Sequence, residues 1–416
     1  MKTKESVTKT YHCIQMWKKL AIVLVSLMWI TLMVSESLAA TQPDQDEPTL
    51  RNGKFFTPEQ GAAYMKEKLA EYPTRESWER NVPIIREEIL KGMGMVPLPK
   101  RTPLKAEIRG KRVMDGYTIE NVVFQSIPGY YVTCNLFRPT HAGPYAVVIN
   151  PHGHGSAGRL RAGIEARAAA QARMGAIALT VDMVGTGESP VPTTRHRSST
   201  AMKLQVWNVM RAIDFVLTLE GTDEDRIGVT GCSGGGTQTF MATALDDRID
   251  VSAPVAMVSS WFFGGCLCES GLPIHKSKRH DINNVVIAAM AAPRPMILVS
   301  DGGDWTSNTP EVEFPFIKHI YELMGVPDRV ENVHFPEGRH DYNADKRGAV
   351  YPFLAKHLKL DLSKVQDEQG NITEVWLAPF DREKCLVFDE THPMPEDALK
   401  TPEAIEEALS SLQIER

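Results

Sequence analysis

The chain predicts an α/β fold with a mostly parallel central sheet and helices on both faces, and three observations carry that prediction. From Tyr145 to Leu358, short apolar runs alternate with segments of helical composition, the rhythm expected of buried parallel strands joined by crossover helices. Gly231-Cys232-Ser233-Gly234-Gly235 lies between one such run, Ile227 to Thr230, and a following helix-like segment. At 416 residues the chain is also long enough to bury a large core around a sheet of this kind.

In order along the chain, Lys18-Lys19 precede an apolar run from Leu20 to about Val34, followed by Ser35-Glu36-Ser37-Leu38-Ala39-Ala40. The run is shorter than the roughly 20 apolar residues of a membrane span. Residues 1–39 therefore read as a cleaved export signal, leaving a periplasmic or secreted chain without stable membrane insertion. Residues 40–116 read as a polar lead and a helical addition. Thr57-Pro58-Glu59 offers a cap with proline at the first helical position, Ala62, Met65 and Leu69 continue at helical spacing, and a second helix is expected from about Arg75 to Lys91.

Residues 117–360 carry the sheet. Alternation from Tyr117, a Pro128-Gly129 turn and the run Tyr130 to Phe137 predict a hairpin. Further strands are expected at Tyr145–Asn150, Ala176–Val181, Ile227–Thr230, Val251–Val258, Pro295–Ser300 and Val330–Phe335. Helices are expected at Ala166–Met174, Met202–Leu219, Gly235–Ala244, Val312–Met324 and Ala349–Leu358, with an irregular stretch from Ser259 to Asn283. Residues 361–416 read as a charged C-terminal appendage with a weak strand signal at Thr373–Leu377 and a helix from Pro402 to Leu412.

Chemistry is expected at the glycine-rich turn. A G-x-S-x-G sequence between strand and helix places the serine on a strained turn with its hydroxyl above the sheet, and small neighbours allow strand and helix to approach. Ser233 is thus the candidate nucleophile, and the backbone N–H of Gly234 an oxyanion donor at the helix start. A serine hydroxyl needs a base and a group that orients the base. His340, just beyond the last expected strand, is the candidate base. Asp304, past the glycines of Ser300-Asp301-Gly302-Gly303-Asp304, is favoured as the acid; Asp301 and Glu269 are the other candidates. His152-Gly153-His154-Gly155 follows a strand where a second oxyanion donor is expected, assigned to the backbone N–H of His154.

Several classes are disfavoured. The formal net charge is -6 and no long basic run occurs, so the footprint of a nucleic-acid binder is missing. The His152/His154 pair has no evident cysteine or acidic cluster to complete a zinc site, and Asp182 to Ser189 lacks the lysine of a phosphate loop. No cofactor or metal is expected. Five cysteines follow the cut, an odd number that argues against a disulfide framework, although a bridge from Cys232 to Cys266 or Cys268 stays open. Trp261, Phe262, Phe263 and Trp305 read either as a sugar platform or as core.

Over about Tyr117 to Leu358 the chain resembles the α/β-hydrolase superfamily, and within it exported esterases of the acetyl xylan esterase and cephalosporin-C deacetylase type. The resemblance rests on Pro151-His152-Gly153-His154-Gly155, the Gly231–Gly236 turn, Ala291-Ala292-Pro293-Arg294-Pro295, the Asp304 loop and His340. It implies an acylated carbohydrate substrate, deacylated through an acyl-enzyme. The chain is also similar to glucuronoyl esterases, which share a Gly-Cys-Ser turn and an Ala-Pro-Arg-Pro segment but usually carry arginine where Gly234 stands. Uronic-ester cleavage is therefore the first alternative. A prolyl-oligopeptidase-like peptidase, without room for the N-terminal propeller, and a non-catalytic carbohydrate binder are the others.

Overall fold

The computed structural model describes residues 48–190 and 196–413; the export signal expected over residues 1–39 lies outside them. Nine strands are present: β1 (Glu107–Val113), β2 (Tyr117–Ile127), β3 (Tyr130–Pro139), β4 (Tyr145–Pro151), β5 (Ala176–Val181), β6 (Thr222–Cys232), β7 (Val251–Val255), β8 (Met296–Asp301) and β9 (Val330–Phe335). They form one sheet in the order β1-β2-β3-β5-β4-β6-β7-β8-β9. The β1–β2, β2–β3 and β3–β5 pairs are antiparallel, and every pair from β5–β4 to β8–β9 is parallel.

The helices are α1 (Pro58–Glu71), α2 (Arg75–Gly92), α3 (Ala162–Arg173), α4 (Ser199–Val216), α5 (Gly234–Leu245), α6 (Leu267–Ser270), α7 (Asn284–Ala289), α8 (Glu313–Leu323), α9 (Ala344–Leu358) and α10 (Pro402–Ser411). Thr57 caps α1 in a reciprocal box with Gln60, and Thr74 does the same for α2 with Ser77, which satisfies N–H groups that a helix start leaves without partners.

Alternate residues of each strand point to opposite faces, and the core divides accordingly. Val147, Ile149, Val229, Met296 and Leu298 pack with the apolar sides of α4, α5 and α7. Their neighbours Ala146, Val148, Ile297 and Val299 pack instead with Val350, Phe353, Leu354 and Leu358 of α9. Both faces of the parallel strands are covered, as the run-like sequences required.

Two segments differ from expectation. Before the hairpin, β1 adds an edge strand of mostly exposed, charged residues with a register shift between Arg109 and Arg112; charge and bulging are how edges avoid unwanted pairing, and they also erase the apolar signature of a strand. The strand expected at Thr373–Leu377 is absent. Ile372 makes a single bridge to Gln366, while Glu374 pairs with Arg347 and Arg173 lies 4.6 Å from the Trp376 ring centroid, so side chains anchor this stretch to α3 and α9 in place of a strand ladder.

The C-terminal segment is tied into the body of the protein. Arg159, fully buried, bonds to Asn135, Asp182, Glu188 and the Cys385 carbonyl, and Glu188 accepts from the N–H groups of Val387 and Phe388. On α10, Ile405 and Leu409 enter the main core, and Glu406 accepts from Thr200 and Lys203 of α4.

Candidate active site

The parallel strands β4 to β9 end on one side of the sheet, and the residues singled out by sequence follow those ends. Ser233 follows β6 with φ 59° and ψ −125°, a left-handed conformation rare for a residue with a side chain. It persists because the chain is packed tightly on both sides. A Cβ at position 231 would lie 2.5 Å from the Gly235 carbonyl oxygen, and one at position 235 would lie 2.7 Å from that of Pro151. Ser233 opens into a cleft of about 460 Å³ whose walls include Gly153, His154, Arg161, Arg167 and His340.

His340 is held from behind by a carboxylate. Its Nδ1 lies 2.7 Å from Asp304 Oδ2, and the other Asp304 oxygen accepts from the Thr306 N–H at 2.7 Å and its hydroxyl at 2.6 Å. No hydrogen bond joins His340 to Ser233 among the described residues, as is common before a substrate tightens such contacts. Asp301 has a different partner: its carboxylate oxygens lie 2.7 and 2.8 Å from Lys346 Nζ, and both side chains are fully buried. Lys346 also donates to the carbonyls of Arg339 and Asp341, the residues flanking His340, so this ion pair fixes the loop that carries the imidazole. Glu269 lies outside this set. Its Oε2 accepts from the Gly265 N–H at 2.7 Å, its Oε1 is 3.9 Å from His154 Nδ1, and burial pushes its carboxyl up.

The loop after β4 presses directly on the elbow. A Cβ on Gly153 would lie 2.7 Å from the Cys232 carbonyl oxygen, 2.8 Å from Ser233 Cβ and 3.4 Å from Gly234 N. His152 anchors the loop: its Nε2 accepts from the Met183 N–H at 3.0 Å and its Nδ1 donates to the Gly153 carbonyl at 2.8 Å. That pattern requires the neutral ring, and burial lowers its pKa accordingly. Arg161 holds the same loop through the carbonyls of Gly153 and His154. The N–H of Gly234 belongs to the first turn of α5, where a helix supplies no acceptor. Ser233, His340 and the Gly153–His154 loop thus line one cleft, with Asp304 bonded to the imidazole.

A family model described as glucuronyl esterase, fungi, matches residues 132–263, which include the His152 loop and Ser233 but neither Asp304 nor His340. The 4-O-methyl-glucuronoyl methylesterase of Phanerochaete carnosa is 27% identical over 229 residues, 44% of this chain and 55% of that protein. The 4-O-methyl-glucuronoyl methylesterase 1 of Wolfiporia cocos is 26% identical over 195 residues, 39% and 47% of the two chains. The matches thus span about half the length of these curated relatives. Among solved structures, the methylesterase BT1017 superposes with a TM-score of 0.77 at 36% identity, covering 86% of this chain and 81% of its own. The chain belongs to the family of that methylesterase, within the α/β-hydrolase esterases.

Relative to the arginine that follows the nucleophile in similar glucuronoyl esterases, the space beside Gly234 in this family member is taken. A Cβ there would meet Met183 Cε at 2.4 Å, Glu269 Oε1 at 3.1 Å and His154 Cε1 at 3.5 Å. None of the four aromatic candidates lines the cleft. Phe262 and Phe263 are buried. Trp261 donates to Asn308 Oδ1 at 3.3 Å, and Trp305 stacks on Phe262 at 4.0 Å and packs against the His340 ring at 4.4 Å. Trp305 thus backs the imidazole, and Phe262 backs Trp305.

Sequence reasoning missed three features. Arg161 and Arg167 both line the cleft, and neither makes an ion pair among the described residues; they were hidden in an ordinary helix start. Lys346 was unremarked for the same reason. His154, His196, Cys266 and Cys268 converge, with one ligand-type atom of each lying within 4.8 Å of the others. The signal for this cluster was the placement of all four residues in segments that follow strand ends. No bridge joins Cys232 to Cys266 or Cys268: all five described cysteines are free, and Cys232 Sγ lies 3.4 Å from the Asp341 carbonyl oxygen.

Proposed function

We propose that the chain is a serine esterase that cleaves the methyl or another small alkyl ester of a sugar uronic acid. The observation that carries the reading is the His340–Asp304 hydrogen bond of 2.7 Å in the cleft that also holds Ser233 on its strained turn. In this mechanism His340 Nε2 takes the Ser233 proton as Oγ attacks the uronate carbonyl carbon. Asp304 fixes the imidazole by its Nδ1–H and stabilises the imidazolium that forms. The backbone N–H groups of Gly234 and His154 receive the tetrahedral oxyanion, an interaction in which one donor is typically worth about 3 to 4 kcal/mol. Collapse expels the alcohol, protonated by His340. Water, deprotonated by the same base, then releases the uronate from Ser233.

Two considerations favour a uronic ester over the acetyl ester that the sequence suggested first. Two curated relatives and the solved relative are named as methylesterases. The cleft is also lined by Arg161, Arg167 and Arg347 against the one carboxylate of Asp341, and an excess of positive charge favours acidic glycans over neutral acetylated ones. In the two reactions the sugar plays opposite parts: it is the acyl group of a uronic ester and the leaving alcohol of an acetyl ester. The test is parallel measurement of methanol release from methyl glucuronate and methyl-esterified oligouronides, and of acetate release from acetylated xylan, each with a Ser233→Ala control. Methanol release lost in the control supports the reading; acetate release alone would return the assignment to deacetylation.

A further inference from the structure

We propose that His154, His196, Cys266 and Cys268 form a tetrahedral zinc site beside the serine cleft. The four residues come from three separate segments: the loop after β4, the segment between β5 and α4, and the start of α6 after β7. Tetrahedral zinc holds nitrogen at about 2.0–2.1 Å and sulfur at about 2.3 Å, which sets ligand atoms about 3.3–3.8 Å apart. Here the four atoms already lie within 4.8 Å of one another, and His154 Nε2 is 3.2 Å from Cys268 Sγ. A contraction of side-chain rotamers closes the site without moving a strand.

A second observation points to a missing ligand. His196 is 4% exposed; its Nδ1 is bonded to the Val184 carbonyl, and its buried Nε2 has no hydrogen-bond partner among the described residues. A buried ring nitrogen without a partner is costly, and a metal ion at the cluster would satisfy it. The opposite nitrogens are held in the way metal-ligating histidines usually are, one by a carbonyl and one facing a carboxylate. His196 Nδ1 meets Val184, while His154 Nδ1 faces Glu269 Oε1 at 3.9 Å, and Glu269 is itself oriented by the Gly265 N–H. Two thiolates and two neutral imidazoles balance a divalent charge in a half-buried place, and an S₂N₂ set selects zinc over harder cations.

Because protein fills all four positions, the ion is structural and does not touch the ester. Its effect is to clamp the loop of Gly153 and His154, which lies against Ser233, to the segments of His196 and Cys266. A Cys266–Cys268 disulfide is the competing state; it would leave His196 Nε2 without a partner.

The experiment is elemental analysis of the full mature chain purified without affinity metals, followed by removal of metal and titration with Co²⁺. The expected result is about one zinc per chain, and a cobalt form with thiolate charge-transfer and strong tetrahedral d–d absorption, both lost in Cys268→Ser and in His196→Ala. Should those variants fail to fold, the cobalt spectrum of the wild-type chain decides alone. No zinc above background and no cobalt absorption in the wild-type chain would overturn the proposal, as would absorption that persists in folded variants. This readout does not depend on which ester is cleaved.

Discussion

The two walls of the cleft are built differently. On the His340 side, the loops after β8 and β9 meet backbone to backbone: a Cβ at Gly303 would lie 2.5 Å from the Gly338 carbonyl oxygen, and the buried Asp301–Lys346 pair locks them. On the His154 side, three loops from distant parts of the chain meet through side chains, by way of His152, Arg161, Glu269 and the His/Cys cluster. One wall is fixed by glycine and short-range geometry, the other by chemistry assembled over long sequence separations. The first should tolerate little change in shape; the second should respond to changes in charge, ligation and pH.

The sharpest break between carboxylates that differ by three positions lies on the first wall. Asp304→Asn is expected to lower kcat by about 10³–10⁴-fold with little change in melting temperature, because it disturbs only the partner of the imidazole. Asp301→Asn should do the reverse: it leaves the buried Lys346 with only the half-exposed Asp341 carboxylate, 2.9 Å away, as counter-charge, a loss of about 1–3 kcal/mol in stability, read by denaturant unfolding. Equal effects of the two substitutions on kcat would show that the acid has been misassigned.

Where the walls meet, Gly153→Ala should lower kcat by roughly 10- to 100-fold, since a methyl group 2.8 Å from Ser233 Cβ displaces the loop or the nucleophile by a fraction of an ångström. Steady-state kinetics on a neutral activated ester would reveal it, and an unchanged kcat would mean that the loop is not held as tightly as its packing indicates.

These contrasts follow what the sequence could and could not disclose. The elbow was legible because Gly231, Ser233 and Gly235 fall within five consecutive residues and both glycines meet a local steric demand. His340 and Asp304 were legible because each follows a strand that reads as a buried apolar run. The helices α1 and α2 were announced by threonine caps. By contrast, β1 was silent because an exposed edge carries charge in place of apolar alternation. His152 and His154 suggest a pair because they are neighbours in sequence, whereas the cluster of His154, His196, Cys266 and Cys268 is spread over three segments. In the folded chain His152 is a buried anchor, and His154 meets Cys268 instead, 114 positions away in sequence. Local patterns survive in sequence; partnerships created by topology do not.

Smaller effects belong to the second wall. Arg161→Gln should raise KM for acidic oligouronide esters by about tenfold while changing KM for a neutral activated ester far less. An equal rise for both would assign Arg161 to holding the loop alone.

The gentlest effect concerns pH. Burial pushes the Glu165 carboxyl on α3 from 4.5 up to about 8, and neither oxygen has a hydrogen-bond partner among the described residues. The folded chain therefore keeps a proton that the unfolded chain releases. This contribution to stability is fully present below the unfolded value and is lost as pH rises through about 8. Melting temperatures from about pH 5 to 9 should fall more steeply for the wild-type chain than for Glu165→Gln; parallel curves would refute the assignment.

In the proposed reaction a uronic acyl group passes through Ser233. Rapid quenching of the wild-type chain with a methyl-esterified uronoside, followed by peptide mass spectrometry, tests it most directly. The mass of the uronoyl residue is expected on the peptide containing Ser233, absent in Ser233→Ala and sharply reduced in Asp304→Asn. Turnover with no adduct on Ser233, or an acetyl adduct formed only from acetylated sugar, would contradict it.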